Sequence, residues 1–221
     1  MEKIFASPSR YIQGKDVLKT GLSHIAELGN KALLLSDDIV WKLVGEELKG
    51  NLEAEGIAVV HVPFNGEASV NEITRVTAIG TENGVDVVIA LGGGKTIDSG
   101  KAICDNLQVP IAVLPTIAST DAPTSALSVI YNDAGAFEKY LFYKKNPELV
   151  MVDTAVVSKA PTRLLASGIA DALATYVEAR AVKQKHGNTM AGGTQTLAAI
   201  AIAEKCEATL FEYGPQAMAD N

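Results

Sequence analysis

Only two cysteines, Cys104 and Cys206, occur in the 221 residues. That is far too few for a disulfide framework, and their alanine-rich helical surroundings suit reduced packing thiols. Long apolar runs are also missing: Thr196 to Ala203 falls well short of bilayer-spanning length. Residues 1–14 mix charges with Pro8 and lack the apolar core of a secretory signal. Positive charge is the scarcer sign, with 19 Lys and Arg against 26 Asp and Glu, a formal charge of −7. A basic surface for nucleic acid or an anionic membrane is therefore not expected. These absences imply a cytoplasmic protein with a small-molecule partner.

What is present is ordinary globular composition, 48% apolar and 20% charged, in a chain long enough for one large α/β domain or two smaller ones. Short β-branched runs at 31–35, 58–62, 86–91 and 111–114 read as buried strands. The segments 40–55, 70–83 and 97–107 carry helical spacing between them. Ser69 and Glu72 have the spacing of a capping box. Repeated βα units imply a parallel sheet. Past Leu114 the pattern changes: Pro115 to Ser125 is a loop rich in Thr and Ser, and 126–131 and 137–143 flank Asn132-Asp133-Ala134-Gly135 as a hairpin. Residues 150–153 read as a last strand. From Pro161 onward the chain is alanine-rich and helical, which places a boundary between domains of residues 1–160 and 161–221.

The most informative segment is Gly92-Gly93-Gly94-Lys95-Thr96, at the end of the apolar run Val87 to Leu91. A tight strand-to-helix turn needs one glycine. Three, with a lysine beside them, let backbone N–H groups approach a phosphate at a helix start. A nucleoside triphosphate P-loop would need a glycine where Ile89 stands, and the spaced-glycine dinucleotide fingerprint would need one at Ile97. The loop thus belongs to neither pattern.

Gly92 to Asp98 with Lys101-Ala102 resembles the glycine loop of the iron-containing alcohol dehydrogenase and dehydroquinate synthase superfamily. Pro115-Thr116-Ile117-Ala118-Ser119-Thr120-Asp121-Ala122-Pro123 and Gly168-Ile169-Ala170-Asp171-Ala172-Leu173 are similar to its glycerol-oxidising branch. The resemblance implies a Rossmann-like parallel-sheet α/β domain binding NAD, followed by an all-helical metal and substrate domain, incomplete here. By position it implies NAD contacts at Asp37, Gly93, Gly94, Lys95, Asp98, Thr116, Ser119, Ser125, Leu127 and Tyr131. Asp121 would meet the polyol hydroxyls, and Asp171 would be one of three zinc ligands. Homo-oligomers are usual in such families.

Read without the resemblance, several of these residues stay ambiguous. Asp37 follows a strand, where a carboxylate can accept from ribose hydroxyls, but it equally precedes a helix that it could cap. Asp121 suits a turn. Asp171 lies among Ile169, Leu173 and Val177, where a buried carboxylate would need a partner, or it faces solvent on an amphipathic helix. By resemblance, the other two zinc ligands would be histidines beyond Asn221. His24, His61 and His186 share no helix face and do not replace them. The activity implied for the complete enzyme is zinc-assisted hydride transfer from glycerol to NAD, giving dihydroxyacetone. A non-catalytic NAD-binding module and a related polyol or polyol-phosphate dehydrogenase are the alternatives.

Overall fold

The computed structural model describes residues 2–220. In chain order the elements are β1 (Arg10–Gly14), α1 (Val17–Thr20), α2 (Ser23–Ala26), β2 (Lys31–Ser36), α3 (Asp38–Val40), a π-helical turn (Trp41–Gly45), α4 (Glu46–Ala54), β3 (Ala58–Pro63) and α5 (Val70–Asn83). There follow β4 (Val87–Gly92), α6 (Gly94–Leu107), β5 (Ile111–Pro115), β6 (Leu127–Tyr131), β7 (Phe137–Phe142), β8 (Leu149–Asp153), α7 (Thr154–Val157), α8 (Thr162–Gln184) and α9 (Leu197–Asp220).

Six strands form one sheet in the order β1-β8-β5-β4-β2-β3, and every pairing in it is parallel. Its central strands are near-continuous apolar runs because both faces are covered. Leu33, Leu35, Val88, Ala90 and Val113 pack with Ile73, Val76, Ile97 and Ile103 of α5 and α6. Leu34, Val87, Ile89, Leu91 and Leu114 turn the other way, onto Leu18, Leu22, Ile25, Leu48 and Leu52. Each fully buried Leu or Ile contributes about 1.5–3 kcal/mol, so this double-sided core fixes the sheet and the ends of its strands.

The connection from β2 runs outward to β3, and the chain then crosses back to β4 on the other side of β2. Direction therefore reverses between β2 and β4. In an open parallel sheet, the carboxyl ends of the two strands at such a reversal are where ligands bind. Asp37 and Gly93 directly follow those two strands.

Two compact units are distinguished. The first comprises residues 8–117 and 122–158, and includes the sheet and the β6–β7 hairpin. The second comprises Ala118–Asp121 with the two terminal segments, described here as 2–7 and 159–220. In the second unit α8 and α9 pack on each other, and Lys3 bridges to Thr194 in a short parallel contact. Among its described residues α8 has none that is buried, and α9 buries only Ala203 and Gly214. Leu197 is 83% exposed, and Ile202 and Phe211 are also open to solvent. No helix among the described residues is long and apolar enough to cross a membrane.

Three local features differ from the sequence reading. β1 is a largely exposed edge strand paired with β8, and it lacks the alternation that marks a half-buried strand. The helix expected over 40–55 contains the π-helical turn, where Trp41 folds over Gly45; a Cβ on Gly45 would come within 2.6 Å of Trp41 Cε3. The capping box is half formed. Ser69 Oγ accepts the Glu72 N–H at 3.3 Å, but the Glu72 carboxylate accepts from the Asn65 N–H and Nδ2, each at 2.9 Å, instead of reaching back to Ser69.

Candidate functional site

The glycine loop is shaped by contacts that a side chain would break. Gly92 has φ +157°, and a Cβ there would sit 2.8 Å from Thr96 Oγ1. A Cβ on Gly93 would lie 2.8 Å from Ile117 Cδ1. α6 starts at Gly94, earlier than the expected Ile97, because the Gly93 carbonyl already accepts the Ile97 N–H at 3.0 Å. Gly100 lets the helix lie directly on the sheet: its Cβ would fall 2.6 Å from Ala90 Cβ. The axis of α6 is thereby set against β4.

The N-terminus of α6 differs from its neighbours in one respect. Asp37 caps α3 and Ser69 caps α5 through their side chains, whereas Gly93 offers α6 no side chain. The first N–H groups of a helix have no intrahelical partner and carry a partial positive charge. At α6 they lie at the carboxyl end of β4, beside the Thr116 N–H that bonds to the Gly92 carbonyl at 3.1 Å. This arrangement suits a phosphate.

Other residues singled out in the sequence belong to the same unit. Asp37 caps α3. Its Oδ1 accepts the N–H groups of Ile39 and Val40, each at 2.9 Å, as a helix cap, and Oδ2 takes no part in these two bonds. Lys95, in the first turn of α6, pairs with Glu67 at 2.7 Å and lies 5.5 Å from the centroid of the Tyr131 ring.

Asp98 faces protein. Its Oδ1 pairs with Lys101 Nζ at 2.8 Å, its Oδ2 accepts the Val129 N–H at 3.0 Å, and its carbonyl accepts the Ser128 hydroxyl at 2.8 Å. Lys101 donates to the Ala122 carbonyl at 2.9 Å, to Ser125 Oγ at 3.3 Å and to the Leu127 carbonyl. This buried pair ties α6 to the hairpin and so positions Ser125, Leu127 and Tyr131. Glu67 and the anchoring role of Lys101 escaped the sequence reading. Glu67 is 28 residues from its partner, and nothing local signals the pairing.

In the second unit the structure brings Asp121 and Asp171 together: the Asp121 N–H donates to Asp171 Oδ2 at 3.0 Å. Ser119 belongs to the same short segment. The approach depends on Gly168, one turn before Asp171 on α8, where a Cβ would lie 2.0 Å from the Ala118 carbonyl oxygen. The two readings of Asp171 divide on its burial. The residue is exposed, so the solvent-facing alternative holds and burial adds no strain to its carboxylate.

Gly168→Ala is expected to push the 118–121 segment off α8, because no backbone carbonyl tolerates a carbon at that distance. A loss of about 1–3 kcal/mol is typical of such overpacking. Urea unfolding measures it, and stability within error of the unmodified chain would show that the segment relaxes freely.

The histidines are engaged elsewhere or exposed. His24 Nδ1 lies 2.9 Å from Arg10 Nη1. His61 stacks on Trp41 at 3.6 Å and meets Ser36 Oγ at 3.1 Å, and burial holds its pKa below the ordinary value. His186 is exposed at the end of α8. Among the described residues no group of three or more His, Cys, Asp or Glu is gathered as a metal site. The residues present do not by themselves fit a zinc ion, which takes at least three protein ligands in a catalytic site.

Known proteins resemble this chain over most of its length. The family model for iron-containing alcohol dehydrogenase matches residues 8–154. Glycerol dehydrogenase from Pseudomonas putida is 45% identical over 218 residues, covering 99% of this chain and 60% of that protein. Glycolaldehyde reductase from Halobacterium salinarum is also 45% identical, with the same two coverages. The crystal structure of glycerol dehydrogenase from Schizosaccharomyces pombe has a TM-score of 0.93 at 38% identity, covering 98% of this chain and 55% of that one. The chain thus spans about 60% of the length of the curated relatives it matches.

Proposed function

Because the chain belongs to the iron-containing alcohol dehydrogenase family, we propose that its first unit seats NAD and that the activity it serves is oxidation of glycerol to dihydroxyacetone. The observation that carries the nucleotide half of this reading is the start of α6, without a side-chain cap, at the point where the sheet reverses direction. Gly93, Gly94 and Lys95 would take the pyrophosphate. Asp37 Oδ2 would accept from the adenosine ribose hydroxyls. Thr116, Ser125, Leu127 and Tyr131 of the same unit would line the remainder, with Asp98 acting through the hairpin that it holds.

Asp121 and Asp171 would orient the polyol by accepting hydrogen bonds from its hydroxyls, with the paired N–H and carboxylate setting their spacing. Bound NAD supplies the acceptor for the hydride that leaves the secondary carbinol carbon, and the hydroxyl proton is released as the carbonyl forms. A zinc ion at Asp171 belongs to the reading implied by the resemblance. The chain alone is expected to hold substoichiometric zinc, and elemental analysis showing one tightly bound zinc per chain would contradict this. A cytoplasmic location and a homo-oligomeric state are part of the same proposal.

Asp37 makes the cofactor choice testable. A carboxylate at the ribose repels a 2′-phosphate, so NAD should bind more tightly than NADP. Asp37→Gly is expected to narrow that gap about tenfold. It should cost only a few tenths of a kcal/mol as a cap, because glycine is tolerated at that position. Equal binding of the two cofactors by the unmodified chain would reduce Asp37 to a helix cap.

Activity is tested by following NADH formation with glycerol, and NADH consumption with dihydroxyacetone or glycolaldehyde, in the unmodified chain and in Asp171→Asn. Turnover that Asp171→Asn abolishes supports the reading. NAD binding without turnover is the result expected while zinc is substoichiometric, and it leaves the nucleotide half of the reading standing.

A further inference from the structure

A lysine in the first turn of a helix is placed unfavourably, because the unpaired N–H groups there already carry partial positive charge. Lys95 is the second residue of α6, and Glu67 neutralises it at 2.7 Å. Glu67 comes from the loop after β3, at the same carboxyl edge of the sheet, and that loop is held from several sides. Glu67 Oε1 accepts the Ala68 N–H at 3.0 Å, and the Ala68 carbonyl accepts the Tyr131 N–H at 3.0 Å. The hairpin turn closes over the carboxylate: a Cβ on Gly135, at φ +79°, would lie 3.3 Å from Glu67 Oε2. On the other flank Glu72 binds Asn65, and Arg75 donates to the Pro63 carbonyl at 2.7 Å. The Glu67 side chain is 18% exposed, against 51% for Lys95. The carboxylate is thus the fixed member of the pair, and the ammonium is the member within reach of solvent.

We propose that Glu67 sets the charge that this anion seat accepts. It is the counterion of Lys95 in the free protein and a fixed negative group beside any bound phosphate, so the seat favours the singly charged phosphates of a dinucleotide's pyrophosphate over a terminal phosphate such as that of ADP. The inference rests on the reading of the glycine loop as the seat of the NAD pyrophosphate. A phosphate that shares Lys95 with Glu67 lies within roughly 5 Å of the carboxylate, two hydrogen-bond lengths away. Repulsion at that distance scales with the charge on the phosphate. Each phosphorus of a dinucleotide carries one charge, whereas a terminal phosphate carries most of a second at neutral pH. Selectivity of this kind comes from a repulsive group set against the competitor.

The test is calorimetric titration of NAD and of ADP into the unmodified chain and into Glu67→Gln at one ionic strength, with thermal midpoints recorded for both proteins. Glu67→Gln is expected to tighten ADP about tenfold and NAD about threefold or less, and the difference should shrink as salt is raised. Lys95→Met, which leaves the carboxylate without its counterion, should move the ADP-to-NAD ratio the opposite way, and this keeps the inference open to refutation if Glu67→Gln folds poorly. An unchanged ratio, or equal weakening of both nucleotides in Glu67→Gln, would overturn the inference and leave Glu67 as a loop anchor alone. If the unmodified chain binds neither nucleotide, the NAD reading falls with it; if it binds NAD and the ratio does not respond to either variant, only this inference falls.

Discussion

Replacing Gly93 with valine is expected to remove measurable NAD binding, a loss of at least about a hundredfold in Kd. The Cβ alone would come within 2.8 Å of Ile117 Cδ1. The two added methyl groups would stand at the start of α6, in the space a phosphate must enter to reach the first N–H groups of the helix. Cys104→Ser is the control. The thiol is buried and its pKa is pushed up to about 12, mainly by that burial, so it stays neutral at any working pH. Its Sγ donates to the Lys101 carbonyl at 3.1 Å, a bond that a hydroxyl can replace. Calorimetric titration of both variants checks the expectation, and similar NAD affinities for the two would remove the glycine loop from the site.

Lys101→Met should be the most damaging single change to stability, at about 3–5 kcal/mol, the usual cost of leaving one member of a buried ion pair alone. The side chains of Lys101 and Asp98 are only 3% and 10% exposed. Methionine would leave Asp98 without that cation, and the Ala122 and Leu127 carbonyls without that donor. Against a typical total of about 5–15 kcal/mol, such a loss is a large fraction of the whole. Lys49→Met removes an exposed helical pair with Glu53 at 3.7 Å and should cost about 0.3–0.5 kcal/mol. Urea unfolding of the two variants compares them. Equal small losses would mean that the hairpin does not depend on the buried pair. In Lys101→Met, NAD binding should weaken along with stability, because Ser125, Leu127 and Tyr131 lose their anchor.

Much of this was legible in the sequence because much of it is local. The buried strands announce themselves as apolar runs, the helices as spacings of three and four, and the uncapped start of α6 as glycines at a strand end. The hairpin followed from Asn132 to Gly135 between two β-rich runs. Features that depend on distant partners were not legible. β1 is held by pairing with β8, far away in sequence, and its own residues carry no pattern. Glu72 keeps the spacing of a capping box, yet Arg75 and Asn65 draw its carboxylate away. Burial raises the pKa of Glu72, but the bonds from Arg75 and Asn65 outweigh that and hold it below the ordinary carboxylate range. The contact between Asp121 and Asp171 spans fifty residues and was foreseeable only through family resemblance. That resemblance paired the two acids in function without showing that Gly168 makes their approach possible.

Hydrogen–deuterium exchange with and without saturating NAD tests the central claim most directly, because it reads the backbone N–H groups that the nucleotide is said to engage. Protection is expected to concentrate at 92–98, with smaller gains at 37–40 and 116–131, and Gly93→Val should show none. Protection confined to other parts of the chain, or NAD binding that leaves exchange at 92–98 unchanged, would contradict the assignment of the α6 N-terminus as the nucleotide seat.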